Sequence, residues 1–195
     1  MPQKFDTRQK QSLLSDERHE ALQPDALLRR LGLRKGDTMA DIGCGPGFFT
    51  LPAAKIVGPT GRVFAADIQG EMLTAVRSRA AEAELTNVRV VKTSDTEIPL
   101  PAASCNFILM AFVLSELDQR ATFLHKAARL LKPKGRLIVV EWVKREEADG
   151  PPADERIPLD DLLADATAAG LRLDEREDLN DSQYSCVFLP AAENR

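Results

Sequence analysis

Short apolar runs alternate with helical patterns from about residue 37 to the end of the chain. Several runs are apolar at consecutive positions, as in FILMAF (107–112) and RLIVVEWV (136–143), which is typical of strands covered on both faces. Strands that alternate with helices predict a parallel sheet with crossover helices. The pattern predicts seven strands, at Thr38–Ile42, Arg62–Asp67, Val88–Lys92, Asn106–Ala111, Arg136–Val143, Leu171–Glu177 and Tyr184–Leu189.

Helical spacing and stop signals define the segments between these strands. The predicted helices are Phe48–Val57, Gly70–Leu85, Asp118–Leu131 and Leu159–Ala169. Gly58-Pro59, the KPKG segment at 132–135 and Gly170 supply the expected ends. In the second helix the apolar residues Met72, Leu73, Val76 and Ala80 recur near helical spacing, so this helix should pack one face on the sheet.

Two segments fall outside the alternation. Residues 1–36 carry two short helical pieces, one after Ser15 and one between Pro24 and Gly32, and we interpret them as a helical lid that precedes a core of residues 37–190. The segment 144–158, KREEADGPPADERIP, is charged and holds three prolines. This composition predicts a solvated loop that connects the fifth strand to the next helix.

Composition and charge narrow the class of protein. The chain has 195 residues, which corresponds to one domain, and its net charge is 26 − 30 = −4. A net negative charge does not indicate a protein that binds the negatively charged backbone of a nucleic acid. The N-terminus lacks an apolar signal region and no stretch approaches the roughly 18 apolar residues of a membrane span, so we expect a cytoplasmic protein. Three distant cysteines indicate neither a disulfide framework nor a zinc site.

The segment DIGCGPG at residues 41–47 is the most informative part of the chain, because it follows a strand and opens a helix. Its glycines allow a sharp turn and a close approach of the backbone to a ligand. A dinucleotide-binding G-x-G-x-x-G would need its third glycine where Phe48 stands. Asp41 would repel a pyrophosphate and attract a cationic group. The motif therefore favours a nucleoside with a positively charged tail.

A second acid, Asp67, lies at the end of the second strand, 67 − 47 = 20 residues after Gly47. A carboxylate at this distance is positioned to accept hydrogen bonds from ribose hydroxyls. Asp is also a favoured N-cap residue, so Asp67 could instead begin the following helix, and the two roles are compatible.

The first motif resembles the glycine-rich motif of the class I S-adenosylmethionine-dependent methyltransferases, in the order hydrophobic, acid, hydrophobic, G-x-G-x-G. The segment LLKPKGRL at 130–137 is similar to the segment before that family's fifth strand, with Lys134 in place of a usual glycine. The resembling motifs cover about residues 25–190 in order, and they are closest to the small quinone-biosynthesis and small-molecule methyltransferases. The resemblance implies a single α/β domain with a seven-stranded, mostly parallel Rossmann-like sheet, an antiparallel last strand and helices on both faces.

The resemblance also implies S-adenosyl-L-methionine as cofactor and S-adenosyl-L-homocysteine as product. In it, Asp67 binds the ribose, Ile68 lies against the adenine, and Asp95 with the backbone of Ser94 receives the adenine amino group. The residues 111–113 would line the methionine side, although Phe112, Val113 and Leu114 taken singly are more typical of packing than of chemistry. The implied cofactor-binding residues are Asp41, Gly43, Cys44, Gly45, Gly47, Asp67, Ile68, Met72, Ser94, Asp95, Thr96, Ala111, Phe112 and Val113.

A dedicated catalytic residue is not required, because a sulfonium already activates the methyl group and the protein has only to position a nucleophile and exclude water. Where the nucleophile carries a proton, a general base within hydrogen-bond reach helps. Glu141, Glu116 and His19 are candidates for that base, and each has a structural alternative. No metal is expected, and no cysteine set suggests a metalloid substrate.

The sequence thus predicts methyl transfer to a small acceptor by in-line displacement. The acceptor pocket should be bounded by residues 1–20, 112–116 and 144–158, and no length remains for a target-recognition domain. A non-catalytic protein that binds the cofactor or its product is an alternative. A nicotinamide-dependent oxidoreductase is a weaker one, because the glycine spacing is wrong and Tyr184, the only tyrosine, belongs to no Tyr-x-x-x-Lys pair. We expect no nucleic-acid partner, no membrane span, and a monomer or homodimer.

Overall fold

The computed structural model describes residues 12–147 and 150–191. Within these ranges seven strands alternate with helices. The strands are β1 Thr38–Ile42, β2 Arg62–Asp67, β3 Val88–Lys92, β4 Cys105–Ala111, β5 Leu131–Trp142, β6 Leu171–Asp178 and β7 Gln183–Pro190. The α-helices are α1 Asp16–Leu22, α2 Pro24–Arg30, α3 Thr50–Val57, α4 Gly70–Glu82, α5 Arg120–Ala128 and α6 Leu159–Ala168. Single 3-10 turns occur at Ser12–Leu14, Leu114–Glu116 and Ala153–Glu155.

The strands form one sheet in the order β3-β2-β1-β4-β5-β7-β6. Strands β1 to β5 pair in parallel, whereas β7 runs antiparallel to both β5 and β6. The order reverses between β1 and β4, where the two halves of the sheet diverge. This is the predicted seven-stranded, mostly parallel sheet with an antiparallel last strand, and the fold prediction is confirmed.

Successive residues of the central strands enter different cores. Ile108 and Met110 of β4 pack with α5 and α6, whereas Phe107 and Leu109 pack with α2 and α3. Opposite faces of a strand alternate with every residue, so a strand covered on both faces must be apolar at every position. The continuous apolar run that predicted β4 has this cause.

Strand β5 begins five residues before the predicted strand Arg136–Val143. Leu131 already pairs with Cys105, and the register shifts before Phe107 pairs with Arg136. The segment at 132–135, predicted as a stop signal, is therefore a bulge inside the strand. Pro133 is tolerated there because the pairing of β5 with β7 begins only at Leu137, so its missing N–H faces no partner strand.

All four predicted helices are shorter in the structure, α6 by only one residue, at Ala169. Helix α3 begins at Thr50 because the glycine-rich turn still includes Phe48 and Phe49. Helix α4 ends at Glu82, and its buried residues are the predicted Met72, Leu73, Val76 and Ala80. Helix α5 ends at Ala128, since Leu131 already belongs to β5.

The two irregular segments are tied to the sheet. Leu22, Leu27 and Leu28 of the first two helices are buried in the same core as Met39 of β1. The loop 144–158 departs from the expected solvated connector, because Arg156 and Ile157 are only 2% and 4% exposed.

None of the helices within residues 12–147 and 150–191 has the length and the apolar character that a membrane span requires.

Candidate functional site

A cavity of about 1380 Å³ opens at the carboxyl ends of the central parallel strands. Helix α1 supplies Arg18, the end of β4 and the turn after it supply residues 111–113, and the loop before α6 supplies residues 150–152 and 154–158. In open α/β sheets this end is where ligands bind. The structure therefore brings together described parts of all three segments that were expected to bound the acceptor pocket; residues 1–11 of the first lie outside the described residues.

The glycine-rich turn closes directly over the ends of β1 and β2. The backbone N–H groups of Gly43 and Cys44 both donate to the carbonyl of Ala66, at 2.7 and 3.0 Å. Gly43 has φ +72°, and a Cβ built on it would lie 2.3 Å from Cγ2 of Val113. No side chain fits at this position without displacing Val113, so glycine is needed for both the backbone angle and the close approach.

Asp67 lies where β2 meets this turn. One carboxylate oxygen accepts from the N–H of Gly45 at 2.9 Å, and the other accepts from the N–H of Gln69 at 2.8 Å. Asp67 therefore holds the glycine-rich turn and also binds the backbone at the start of α4, although the N-cap residue of α4 is Gln69. Burial raises the pKa of Asp67, while these N–H groups and Lys92 oppose the rise.

Asp41 is the other acid beneath the turn and is 2% exposed. Its Oδ2 accepts a hydrogen bond of 2.5 Å from Oγ1 of Thr50. Burial, with a smaller contribution from the charge of Asp67, raises the pKa of Asp41 to about 7. A cationic ligand nearby would favour the ionised form of this carboxyl, because opposite charges lower the pKa of an acid.

The segment after β3 forms a second wall. The N–H of Thr93 donates to the carbonyl of Asp67 at 3.0 Å, which joins this segment to the end of β2. Ser94 accepts from the N–H of Thr96 through its hydroxyl, at 3.3 Å. Ser94 and Asp95 line the cavity, so an acid and a backbone turn lie beside the predicted adenine position.

Phe112 leaves the end of β4 in an unusual conformation, with φ +60°. A left-handed backbone at a bulky residue is uncommon and is often found at functional sites. Its N–H is anchored to the carbonyl of Val140 at 2.9 Å, and its ring lies 5.6 Å from that of Trp142. The turn therefore presents an aromatic face to the cavity.

Most of the predicted cofactor residues line this one cavity. The lining set contains Asp41, Gly43, Cys44, Gly45, Asp67, Ile68, Met72, Ser94, Asp95, Ala111, Phe112 and Val113. Gly47 and Thr96 do not line it. Gly47 instead lies against Leu51 and Val76, where it lets α3 and α4 approach.

The three candidate bases occupy different positions. Glu116 lines the cavity. Glu141 does not; it is 2% exposed, its Oε1 accepts from the N–H of Leu114 at 3.2 Å, and burial raises its pKa to about 7. His19 is exposed, and its ring meets the edge of Phe48 at 6.0 Å between centroids without lining the cavity.

A row of aromatic rings and arginines crosses the cavity, and the sequence did not reveal it. The guanidinium of Arg18 lies 4.9 Å from the ring centre of Phe48 and 5.0 Å from that of Phe112. Phe112 meets Trp142, and the guanidinium of Arg156 lies 5.1 Å from the Trp142 ring. A helix of seven residues is too short for its sequence to show which face is buried. The sequence therefore singled out Arg18 only by its position next to His19, which was a candidate base.

The charges of the described lining residues are predominantly acidic. They comprise eight acids, Asp41, Asp67, Asp95, Glu116, Asp118, Asp154, Glu155 and Asp161, and four bases, Arg18, Arg120, Lys144 and Arg156. An acid-rich concave surface attracts cations. The donor set, the glycine cradle and this charge therefore fit a nucleoside that carries a sulfonium. In the described parts of the chain, no three His, Cys, Asp or Glu side chains are arranged to hold a metal ion.

Comparison with known proteins agrees with this chemistry. Residues 40–139 match the family model described as a methyltransferase domain, which is 100 of the 195 residues. A demethylmenaquinone methyltransferase of Geobacillus sp. is 28% identical over 67% of this chain and 55% of its own length. The ubiquinone/menaquinone biosynthesis C-methyltransferase UbiE of Azotobacter vinelandii is 36% identical over 60% of this chain and 47% of its own length. The chain spans about half the length of these curated relatives.

A solved structure matches almost the whole fold. The crystal structure of an S-adenosylmethionine-dependent methyltransferase from Aquifex aeolicus superposes with a TM-score of 0.90 and 32% identity, covering 95% of this chain and 98% of its own. The sequence match at the glycine-rich turn, the sheet order and this similarity agree. The chain belongs to the class I S-adenosylmethionine-dependent methyltransferases and resembles their quinone-biosynthesis group.

Proposed function

We propose that this protein transfers a methyl group from S-adenosylmethionine to a small aromatic acceptor of the quinol or phenol type, by in-line displacement. The observation that carries the proposal is the single cavity, which joins the glycine-rich turn to an aromatic compartment lined by Phe112 and Trp142. Its volume of about 1380 Å³ exceeds the range of about 300 to 1,000 Å³ for typical ligand pockets, so a cofactor and an acceptor fit together.

The cofactor would lie along the first part of the cavity. Asp67 would accept from the ribose hydroxyls, which requires its carboxylate to share acceptor positions with the N–H groups of Gly45 and Gln69. Ile68 would lie against the adenine, and Asp95 with the backbone of Ser94 would accept its amino group. Asp41, buried and close to the turn, would be held ionised by a neighbouring cationic group.

The acceptor would lie on the other side of Phe112. Phe112, Trp142 and residues 150–152 provide flat, largely apolar surfaces there. Arg156 fastens this wall to β5, because its side chain donates to the carbonyls of Pro151 at 2.9 Å and Val143 at 3.0 Å. Two relatives carry names of enzymes of quinone biosynthesis, which supports a planar aromatic acceptor.

When bound, S-adenosylmethionine supplies an activated methyl group on a positively charged sulfur. The task of the chain is then to align the acceptor and exclude water. Phe112 and Val113 would lie between the cofactor and the acceptor, and their turn is held by the hydrogen bond from the N–H of Leu114 to Glu141. Glu116 is the candidate base that lines the cavity, so it would serve an acceptor that reacts with its proton still attached.

The test uses the full chain with methyl-labelled S-adenosylmethionine and a panel of 1,4-naphthoquinols and substituted phenols. Label in an extracted aromatic product, identified by mass spectrometry, supports the proposal. The matched control is a Gly45→Arg variant, which places a large side chain in the cavity lining and should transfer no label.

Two other outcomes would overturn the proposal. Binding of S-adenosylhomocysteine by calorimetry without methyl transfer to any acceptor or to a metabolite extract would indicate a non-catalytic cofactor-binding protein. Binding of a nicotinamide dinucleotide without heat from S-adenosylmethionine would indicate an oxidoreductase.

A further inference from the structure

Arg18 is the one cation of the cavity lining that has no acceptor among residues 12–147 and 150–191. Arg120 forms an ion pair of 2.7 Å with Asp165. Lys144 donates to the carbonyl of Arg156 at 2.7 Å, and Arg156 pairs with Glu147. The side chain of Arg18 donates to none of the described residues, and its Nε is buried without a hydrogen-bond partner.

This position is energetically unusual. A guanidinium carries five N–H donors, and a buried donor without a partner is destabilising. The rings of Phe48 and Phe112 offset part of the lost hydration through cation–π contacts. Burial lowers the pKa of Arg18 to about 10, and no neighbouring carboxylate contributes an opposing rise. No described carboxylate forms an ion pair with this guanidinium, so its charge is available to an anionic ligand.

We propose that Arg18 binds the ionised hydroxyl oxygen of the aromatic acceptor, as a phenolate or enolate. The inference rests on the proposed function and names the charge state of its acceptor. Phe112 contacts both Arg18 and Trp142, so an acceptor ring held against these aromatic residues can bring an oxygen to the guanidinium. Arginine suits this task because it stays charged and directs several N–H groups in one plane.

The proposal also removes the need for a general base from the chain. An acceptor that has lost its hydroxyl proton to solvent before binding needs no base for O-methylation. Its oxygen lone pair forms the new bond to the methyl carbon while the electrons of the carbon–sulfur bond return to sulfur. For methylation at a ring carbon, the same anion enriches that carbon in electrons, and the ring proton leaves afterwards to water.

The test compares two probes that differ in ionisation, 2-hydroxy-1,4-naphthoquinone and 2-methoxy-1,4-naphthoquinone. Binding to the full chain is measured at pH 8 with saturating S-adenosylhomocysteine, by calorimetry and by quenching of Trp142, the only tryptophan. We expect the wild type to bind the hydroxy probe at least about tenfold more tightly, the scale of a charge-assisted hydrogen bond. In Arg18→Met this preference should fall to within about twofold, while Arg18→Lys should retain part of it.

The control is Arg120→Met, which removes another cation of the lining whose charge is already paired with Asp165. It should leave the preference unchanged. A wild type with no preference, or a preference that survives in Arg18→Met, would overturn the inference. So would a tenfold loss of S-adenosylhomocysteine affinity in Arg18→Met, because Arg18 would then bind the cofactor carboxylate. None of these results contradicts the proposed function. The proposed function fails only if the wild type transfers no methyl group.

Discussion

The contact between Gly43 and Val113 joins the glycine-rich turn to the turn after β4, and a Gly43→Ala substitution tests it directly. Gly43 has φ +72°, which is unfavourable for alanine by about 1 to 2 kcal/mol. The new Cβ would also lie 2.3 Å from Cγ2 of Val113, and overpacking of this kind costs about 1 to 3 kcal/mol. We therefore expect Gly43→Ala to lower the free energy of unfolding by about 2 to 5 kcal/mol.

Gly170 provides a matched control for the backbone contribution. It has φ +79°, and a Cβ built there would meet no atom within 4 Å. Gly170→Ala should therefore lower the free energy of unfolding by only about 1 to 2 kcal/mol, without a steric contribution. The difference between the two variants isolates the collision with Val113.

Urea unfolding followed by circular dichroism gives the free energies, and equal slopes for all variants make them comparable. A double variant, Gly43→Ala with Val113→Ala, removes the colliding methyl groups and should recover about 1 to 3 kcal/mol relative to additive effects. Calorimetry with S-adenosylhomocysteine should show at least tenfold weaker binding by Gly43→Ala, or about 1.4 kcal/mol, and unchanged binding by Gly170→Ala.

Two results would refute this reasoning. If Gly43→Ala is no less stable than Gly170→Ala, the turn relaxes freely and the close approach has no energetic weight. If the double variant shows no recovery, Val113 is not the residue that excludes a side chain at position 43.

Three further substitutions test separate parts of the site. Asp67→Ala should weaken S-adenosylmethionine binding by about 1.5 to 3 kcal/mol in calorimetry, because it removes the proposed ribose acceptor and the carboxylate that fixes the turn; an unchanged dissociation constant would contradict the ribose role. Glu141→Gln should raise stability at pH 8 by about 1 to 3 kcal/mol, with little gain at pH 4.5. Burial raises the pKa of Glu141 from 4.5 to about 7. Between these two pH values the carboxyl ionises in the unfolded chain but stays protonated in the folded one, so the free energy of unfolding falls over this range and stays low above it. Urea midpoints that change equally at both pH values would contradict this. Arg156→Met should destabilise the protein by about 2 to 4 kcal/mol and speed proteolysis within 144–158, because two carbonyls lose a buried donor; a cleavage rate equal to wild type would show that Arg156 does not hold the loop.

The sequence determined the fold and the residues at the glycine-rich side of the cavity, because both depend on local patterns. Consecutive apolar positions in β4 reflect a strand covered on both faces, so the pattern leads to the sheet without knowledge of the contacts. The spacing from Gly47 to Asp67 is set by one helix and one strand, α3 and β2. Residues joined by a single βα unit keep nearly the same geometry wherever that unit occurs.

Tertiary structure alone decided the other half of the site. Arg18, Phe112 and Trp142 are far apart in the sequence and meet only because α1, the turn after β4 and the end of β5 converge on one cavity. Nothing local distinguishes a surface arginine in a short helix from a half-buried one whose guanidinium contacts two aromatic rings. The same holds for Glu141, whose carboxylate is directed to the N–H of Leu114 and away from the cavity lining. Long-range packing sets burial and the direction of a side chain, and these two properties decide which charged residues line the cavity.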